Sequence, residues 1–191
     1  MKARDSGMPD EAWWETFFDA EEALRCLLPE AARTGDLVEF GCGYGTFTLA
    51  AARRIAGTVS AFDIEPDMVA RVQARALGEG LRNIRAQVRD FVHHGSGLAD
   101  RSQAHAMIYN LLHLEQPVDL LREAHRILAT DASLSVIHWR SDIPTPRGPA
   151  LSIRPTPAQC RQWMHEAGFS TVVEVALGPS CPYHFGLLGR A

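Results

Sequence analysis

Apolar and polar positions follow two alternating patterns along most of the chain. From residue 36 onward, short apolar runs alternate with stretches in which apolar residues recur every three or four positions, as in amphipathic helices. This order is typical of βαβ units and predicts an α/β fold with a mainly parallel sheet. The predicted strands are Asp36–Phe40, Thr58–Phe62, Asn83–Arg89, Ala104–Asn110, Ser133–Trp139, Thr171–Leu177 and Tyr183–Leu188. The predicted helices are Thr46–Ala56, Pro66–Leu77, Pro117–Ala129 and a C-terminal helix from Pro157 to Ala167.

The first 35 residues carry an aromatic stripe with the spacing of a helical face. Asp19 followed by Glu22 resembles a capping box, so one helix should end near Phe18 and a second should begin at Ala20. The stripe either forms a lid over a bound molecule or packs against the sheet. Its members are Trp13, Trp14, Phe17 and Phe18.

The C-terminal part begins with a proline-rich stretch, residues 141–157, which predicts a long loop instead of a helix or a central strand. The last two predicted strands are separated by residues 178–182 alone, and so short a connection favours antiparallel pairing. We expect a single domain, residues 1–191. Its parts would be a helical cap (1–35), a core (36–140) and a C-terminal loop, helix and strand pair (141–191).

Composition narrows the class of protein. Hydrophobic residues make up 46% and charged residues 22%, as in ordinary globular proteins. A formal charge of -4 gives no general attraction to nucleic acids or anionic membranes, so a small-molecule partner is favoured. The four cysteines form no C-x-x-C pair, and residues 1–29 contain neither a signal-peptide core nor a membrane span. We therefore expect a cytoplasmic protein whose oligomeric state, including a homodimer, stays open.

A glycine-rich loop links the first predicted strand to the first core helix. Gly41, Gly43 and Gly45 follow Glu39-Phe40, and such a turn brings backbone amides close to a ligand at a helix N-terminus. The spacing is G-x-G-x-G, whereas a dinucleotide fingerprint reads G-x-G-x-x-G and a P-loop requires a Gly-Lys-Ser/Thr ending. The loop thus predicts a cofactor site that differs from both.

Here the sequence resembles the class I S-adenosylmethionine (SAM)-dependent methyltransferases that act on small molecules. The resemblance covers about residues 36–139 and implies a Rossmann-like, doubly wound sheet of seven strands. That sheet would be mostly parallel, with an antiparallel C-terminal strand and helices on both faces. Four motifs carry the resemblance: Val-Glu-Phe-Gly-Cys-Gly-Tyr-Gly at 38–45, Phe-Asp-Ile-Glu-Pro-Asp-Met at 62–68, Val-Arg-Asp-Phe at 88–91 and Tyr-Asn-Leu-Leu-His at 109–113.

The resemblance implies a set of cofactor contacts, with S-adenosylhomocysteine (SAH) as the product. Asp63, 22 residues after Gly41 at a strand end, would accept both ribose hydroxyls. Asp90 would accept the adenine amino group, and Glu39 would hold the loop and the cofactor ammonium group. The full expected set is Glu39, Gly41, Cys42, Gly43, Tyr44, Gly45, Asp63, Ile64, Asp90, Phe91 and Asn110.

Two segments depart from the family pattern. Residues 103–105 read Gln-Ala-His where the family often has an acidic residue, which removes the contacts attributed to that carboxylate. Residues 130–132 read Thr-Asp-Ala where a Pro-Gly-Gly turn is usual. The second change affects turn chemistry on the edge of the sheet away from the cofactor.

Two histidines are candidates for a general base. Methyl transfer mainly requires alignment and exclusion of water, but an acceptor that loses a proton benefits from a base with a pKa near neutrality. His113 and His138 follow the fourth and fifth predicted strands, and each could instead be a structural histidine. His93 and His94 lack a second ligand pair and no H-E-x-x-H motif occurs, so no metal is expected.

The acceptor is weakly specified by the sequence. Residues 110–113 do not match the D/N-P-P-Y-like motif of many amino-group methyltransferases, which favours a small organic acceptor. Two other classes stay open: a SAM-binding regulatory or partner protein without turnover, and a nicotinamide-dependent oxidoreductase. The G-x-G-x-G spacing argues against the oxidoreductase.

Overall fold

A computed structural model describes residues 9–191, so the first eight residues of the predicted cap lie outside the described residues. The sheet has seven strands: β1 (Leu37–Phe40), β2 (Val59–Asp63), β3 (Ile84–Val88), β4 (Gln103–Tyr109), β5 (Leu128–Trp139), β6 (Thr171–Val175) and β7 (His184–Arg190). The helices are α1 (Glu11–Glu15), α2 (Ala20–Leu27), α3 (Thr46–Ala52), α4 (Pro66–Gly78), α5 (Phe91–His94), α6 (Pro117–Ile127) and α7 (Pro157–Glu166).

The strand order is β3-β2-β1-β4-β5-β7-β6. The first five strands in this order are parallel, and β7 pairs antiparallel with both β5 and β6. The predicted seven-stranded, mostly parallel sheet is therefore confirmed, as is the antiparallel pairing of the last two strands. The chain order reverses between β1 and β4, and the carboxyl ends of strands at such a switch point border a crevice.

Helices cover both faces of the sheet, because alternate residues of the strands belong to two separate cores. Val38 and Ile108 belong to a core that includes α6 and α7, whereas Leu37 and Met107 belong to a core that includes α2 and α3. A strand buried on both faces is expected to be mostly apolar, and all four residues of β1 are buried. Glu39, buried in the same strand, is the polar exception and lies near the site described below.

Several boundaries differ from the predictions. Helix α3 ends at Ala52, four residues early. Strand β5 begins at Leu128 and includes the predicted turn at 130–132 as a bulge, with Asp131 at φ 63° and a register shift against β4. Between β3 and β4 the chain forms the short helix α5, followed by a loop to β4. None of the helices in residues 9–191 is both long and apolar enough to cross a membrane.

Candidate functional site

The glycine loop begins directly after β1. Gly41, Gly43 and Gly45 have φ of 74°, 50° and 82°, a region in which side chains other than glycine are strained. The amides of Gly41 and Cys42 both donate to the Phe62 carbonyl oxygen, at 2.8 and 2.9 Å, which ties the loop to the end of β2. The G-x-G-x-G spacing therefore reflects three successive backbone requirements.

Asp63, the last residue of β2, fixes the same loop through its side chain. Its Oδ2 accepts from the Gly43 amide at 2.8 Å and its Oδ1 accepts from the Glu65 amide at 3.0 Å. Burial raises the pKa of Asp63, while these backbone hydrogen bonds oppose the increase. Asp63 thus holds the loop and also lines the neighbouring cavity.

Glu39 places a carboxyl group under the loop. It is 2% exposed and accepts a hydrogen bond from the Thr48 hydroxyl of α3. Burial raises the pKa of Glu39 to about 8; the Thr48 hydrogen bond lowers it, and the nearby charge of Asp63 raises it further. At neutral pH this carboxyl group is mostly protonated unless a cation lies beside it.

Asp90 and Asn110 follow β3 and β4 at the same edge of the sheet. Asp90 is the N-cap of α5 and accepts from the His93 amide at 3.2 Å. Asn110 has φ 59°, and its backbone N–H donates to the Ile137 carbonyl oxygen at 2.7 Å. The Asn110 Oδ1 and the Thr46 Oγ1 are buried and have no hydrogen-bond partner within residues 9–191. Such groups are costly unless a ligand satisfies them.

One cavity of about 380 Å³ connects these groups with an aromatic compartment. Its glycine-loop side includes Glu39, Asp63 and Asp90. The remaining lining includes Trp14 of α1, Phe47 of α3, Tyr109 of β4, Trp139 of β5 and residues 147–149 of the proline-rich loop. The cavity thus brings strand ends, the N-terminal cap and the C-terminal loop to a single site.

Most of the residues predicted from the sequence line this cavity. They are Glu39, Gly41, Cys42, Gly43, Asp63, Ile64, Asp90, Phe91, Asn110 and His113. Three predicted residues lie outside the lining. Gly45 is the N-cap of α3, His138 lies behind His113, and the Tyr44 hydroxyl donates to the Pro9 carbonyl oxygen at 2.6 Å. Cys42 is buried, which raises the pKa of its thiol and disfavours the thiolate.

His113 and His138 form a pair at the aromatic side. The distance from His113 Nδ1 to His138 Nε2 is 3.3 Å, and His138 Nδ1 lies 3.3 Å from the Trp139 carbonyl oxygen. Since a carbonyl oxygen only accepts, His138 carries its proton on Nδ1, and its Nε2 accepts from His113. This arrangement leaves the lone pair of neutral His113 on Nε2.

Both histidines favour the neutral form. Burial, followed by the charges of His113 and Arg154, lowers the pKa of His138 to about 3, although its hydrogen bond to the Trp139 carbonyl opposes this. Burial also lowers the pKa of His113. Neutral His113 is able to accept a proton, and neutral His138 is able to orient it.

Sequence reasoning missed several residues of the aromatic compartment. Phe47 and Tyr109 read as core positions, and their rings do pack together, with centroids 4.6 Å apart. Gly148 and Pro149 belong to a loop without periodicity, so no pattern could place them. Trp14 was named as part of a possible lid, and it lines the cavity.

Within residues 9–191 no group of three or more His, Cys, Asp or Glu residues is arranged to hold a metal ion.

Residues 37–131, about half of the chain, match the family model of a methyltransferase domain. The chain belongs to the class I SAM-dependent methyltransferases. It is therefore an enzyme that uses SAM as its cofactor.

Solved structures share the fold of this methyltransferase. A SAM-dependent methyltransferase from Aquifex aeolicus is 22% identical with a TM-score of 0.77, over 95% of this chain and 94% of the other. A geranyl diphosphate methyltransferase in complex with SAM is 17% identical with a TM-score of 0.70, over 90% and 83% of the two chains. The [4+2]-cyclase SpnF is 18% identical with a TM-score of 0.70, over 90% and 78%. No curated protein matches the chain.

The residues of the cavity fit SAM. SAM offers an ammonium group, ribose hydroxyls and an adenine amino group as donors, and the glycine-loop side supplies the carboxyl groups of Glu39, Asp63 and Asp90 as acceptors. The unpartnered Asn110 Oδ1 and Thr46 Oγ1 leave polar atoms for a ligand to satisfy. A Cβ at Gly41 would lie 2.9 Å from the Leu111 side chain, so a larger residue at this position would collide with Leu111 in the cavity lining.

Proposed function

We propose that this methyltransferase methylates a small organic acceptor at an oxygen or nitrogen atom that gives up a proton to His113. The observation that supports the proposal best is the single cavity, which extends from the carboxyl groups of the glycine-loop side to His113. In this proposal residues 9–35 cap the cavity, residues 36–140 hold the cofactor and residues 141–191 complete the acceptor side, all as parts of one domain.

The cofactor roles follow the chemistry of each side chain. Asp63 would accept the ribose hydroxyls with the lone pairs that its two backbone hydrogen bonds leave free. Asp90 would accept the adenine amino group, between Ile64 and Phe91. Glu39 would receive the ammonium group, and Asn110 would contact the methionine portion. Gly41, Cys42, Gly43 and Gly45 would shape the loop, and Tyr44 would tie it to the cap.

Bound SAM supplies an activated methyl group whose departure leaves a neutral thioether. The protein's own contribution is to align the acceptor, exclude water and take up the acceptor proton. Because His138 accepts from His113 Nδ1, the proton from the acceptor goes to His113 Nε2. His138 then orients the resulting imidazolium. His138 is thus a positioning residue, and His113 is the catalytic residue.

A screen of hydroxylated and aminated small molecules tests the proposal, with SAH formation as the readout. The proposal expects turnover with at least one acceptor and a loss of about 10²–10⁴-fold in kcat for His113→Ala, the usual contribution of a general base. SAM affinity should change less than about twofold. His94→Ala, an exposed histidine outside the cavity lining, is the control. Full turnover in His113→Ala would overturn the base assignment.

A further inference from the structure

The proline-rich loop is attached to the site by one side chain, Arg154. Its Nε donates to the Pro149 carbonyl oxygen at 2.7 Å and its Nη2 donates to the Arg147 carbonyl oxygen at 3.1 Å. Its Nη1 donates to the Arg140 carbonyl oxygen at 2.9 Å and to the Thr145 hydroxyl at 2.7 Å. A single planar guanidinium group thus links both ends of residues 140–149.

The same guanidinium group lies over the ring of Trp139. The Arg154 Cζ is 5.9 Å from the ring centroid, a distance that allows a cation–π interaction. Arg154 does not line the main cavity, whereas Trp139 and residues 147–149 do. Arg154 therefore lies behind the wall that these residues form.

Gly148 brings the loop backbone against Trp139. It has φ 123°, and a Cβ at this position would lie 2.9 Å from Trp139 Cγ and 2.8 Å from Arg154 Nη2. A side chain here would push the loop away from the ring. The wall thus consists of the loop backbone at Gly148, Arg147, a proline ring and an indole.

The wall itself carries a positive charge, because residues 147–149 include Arg147. The acidic residues of the cavity lining, Glu39, Asp63 and Asp90, are those assigned to the cofactor in the proposed function. Aromatic rings pack well against aromatic surfaces such as Trp14 and Trp139. A cationic acceptor would lie beside Arg147, and the lining would leave it no carboxyl group with which to pair.

We propose that residues 147–149, held against Trp139 by Arg154, form the recognition wall for a planar aromatic acceptor that carries no positive charge. This inference rests on the proposed function and names the acceptor class of the same site. Arg154 acts as a positioning residue, since it reaches the acceptor side through the loop and Trp139.

The probe for this wall is 2-naphthalenemethanol, titrated by calorimetry into the protein saturated with SAH. The matched cation is 2-naphthylmethylamine, which has the same ring and a similar length. The wild-type protein should bind the alcohol and should bind the amine at least about tenfold more weakly. Absence of alcohol binding, or equal binding of the two compounds, would overturn the acceptor class.

Two variants test the wall itself. Arg154→Gln removes the forked donor and should weaken binding of the alcohol about tenfold or more, while SAH affinity stays within about twofold. Arg154→Lys, which keeps the charge but donates fewer hydrogen bonds, should recover part of the affinity. Arg122→Gln, which breaks an exposed ion pair on α6, is the control. Unchanged alcohol affinity in Arg154→Gln would contradict the positioning role.

Gly148→Ala keeps Arg154 and serves as the second variant if Arg154→Gln does not fold. It should weaken binding of the alcohol, whereas Gly80→Ala should not, because Gly80 also has a positive φ but no atom within 4 Å of an added Cβ. An unaffected Gly148→Ala variant would refute the wall. If the wild-type protein does not bind SAH at all, the proposed function is refuted instead. Failure of the wall and failure of the proposed function are therefore distinguishable.

Discussion

At the scale of single residues, Glu39 is a carboxyl group whose charge depends on what lies beside it. Its pKa of about 8 keeps it mostly protonated at pH 7 in the ligand-free protein, because burial penalises the charged form. The ammonium group of SAM would reverse this preference. Binding at pH 7 should therefore release close to one proton, and the release should diminish as the pH rises above 8.

Calorimetry in buffers of different ionisation enthalpy measures this proton release directly. Glu39→Gln keeps an acceptor for the Thr48 hydroxyl but has no proton to lose, so its release should fall to about zero. The same variant should also bind SAM more weakly. A wild-type protein that binds SAM at pH 7 without releasing a proton would contradict the role given to Glu39.

His113 sets a second pH dependence. Burial lowers its pKa below the ordinary value, so it stays neutral and able to accept a proton throughout the neutral range. We expect kcat/KM for the acceptor to stay constant as the pH is lowered to about 6.5. It should decrease only at pH values below the lowered pKa of His113. A rate profile with an acid limb above pH 7 would exclude His113 as the base.

At the scale of elements, helix α1 is attached by ion pairs to α4, which in turn contacts the glycine loop. Glu11 pairs with Arg71 and Arg75, and Glu15 pairs with Arg75. Arg75 Nη1 also donates to the Tyr44 carbonyl oxygen at 3.1 Å. Since α1 carries Trp14 into the cavity, this network links the cap to the cofactor loop.

Arg75→Ala should therefore loosen the cap. Hydrogen exchange of residues 9–18 should accelerate, and SAM should dissociate up to about tenfold faster, because partly exposed ion pairs contribute roughly 1 kcal/mol or less each. Arg25→Ala, which breaks an exposed pair with Glu22 on α2, provides the comparison. Identical exchange and dissociation in the two variants would show that the network does not hold the cap.

The elements differ in how far the sequence predicts them. The central strands are predictable because a parallel strand covered on both faces is mostly apolar, as β1 is apart from Glu39. Asp63, Asp90 and Asn110 are predictable because each ends or follows a parallel strand at the carboxyl edge of the sheet. The acceptor side is not predictable from the sequence. Arg154 binds backbone carbonyl groups of an irregular loop, and Gly148 is required by a close approach of the backbone to Trp139. Neither requirement produces a periodic pattern of residue types. The bulge at Asp131 escaped prediction for a similar reason, because it depends on register with β4.

At the scale of the whole molecule, the site gathers parts of the chain that are distant in sequence. Trp14, Asp63, His113 and Gly148 line one cavity. A ligand that bridges these parts in the folded state alone should stabilise all of them. At a SAM concentration 100-fold above Kd, the gain in unfolding free energy should be about 2.7 kcal/mol.

For a chain of this size such a gain corresponds to a rise in Tm of roughly 5–10 °C. Differential scanning calorimetry with and without SAM measures it, and NAD at the same concentration is the control. We expect SAM and SAH to raise Tm and NAD to leave it unchanged. A rise with NAD alone would instead favour an oxidoreductase.

We expect the carboxyl groups at the strand ends to bind SAM in this cavity, and substitution of Asp63 is the direct test of this binding. Isothermal titration of SAM should give saturable binding to the wild-type protein. Asp63→Asn, which has the same size but a weaker acceptor for ribose hydroxyls and for the Gly43 amide, should bind about 10–100-fold more weakly, as expected for the loss of charge-assisted hydrogen bonds. Equal SAM affinity in the two proteins, or tight binding of NAD with none of SAM, would contradict the account.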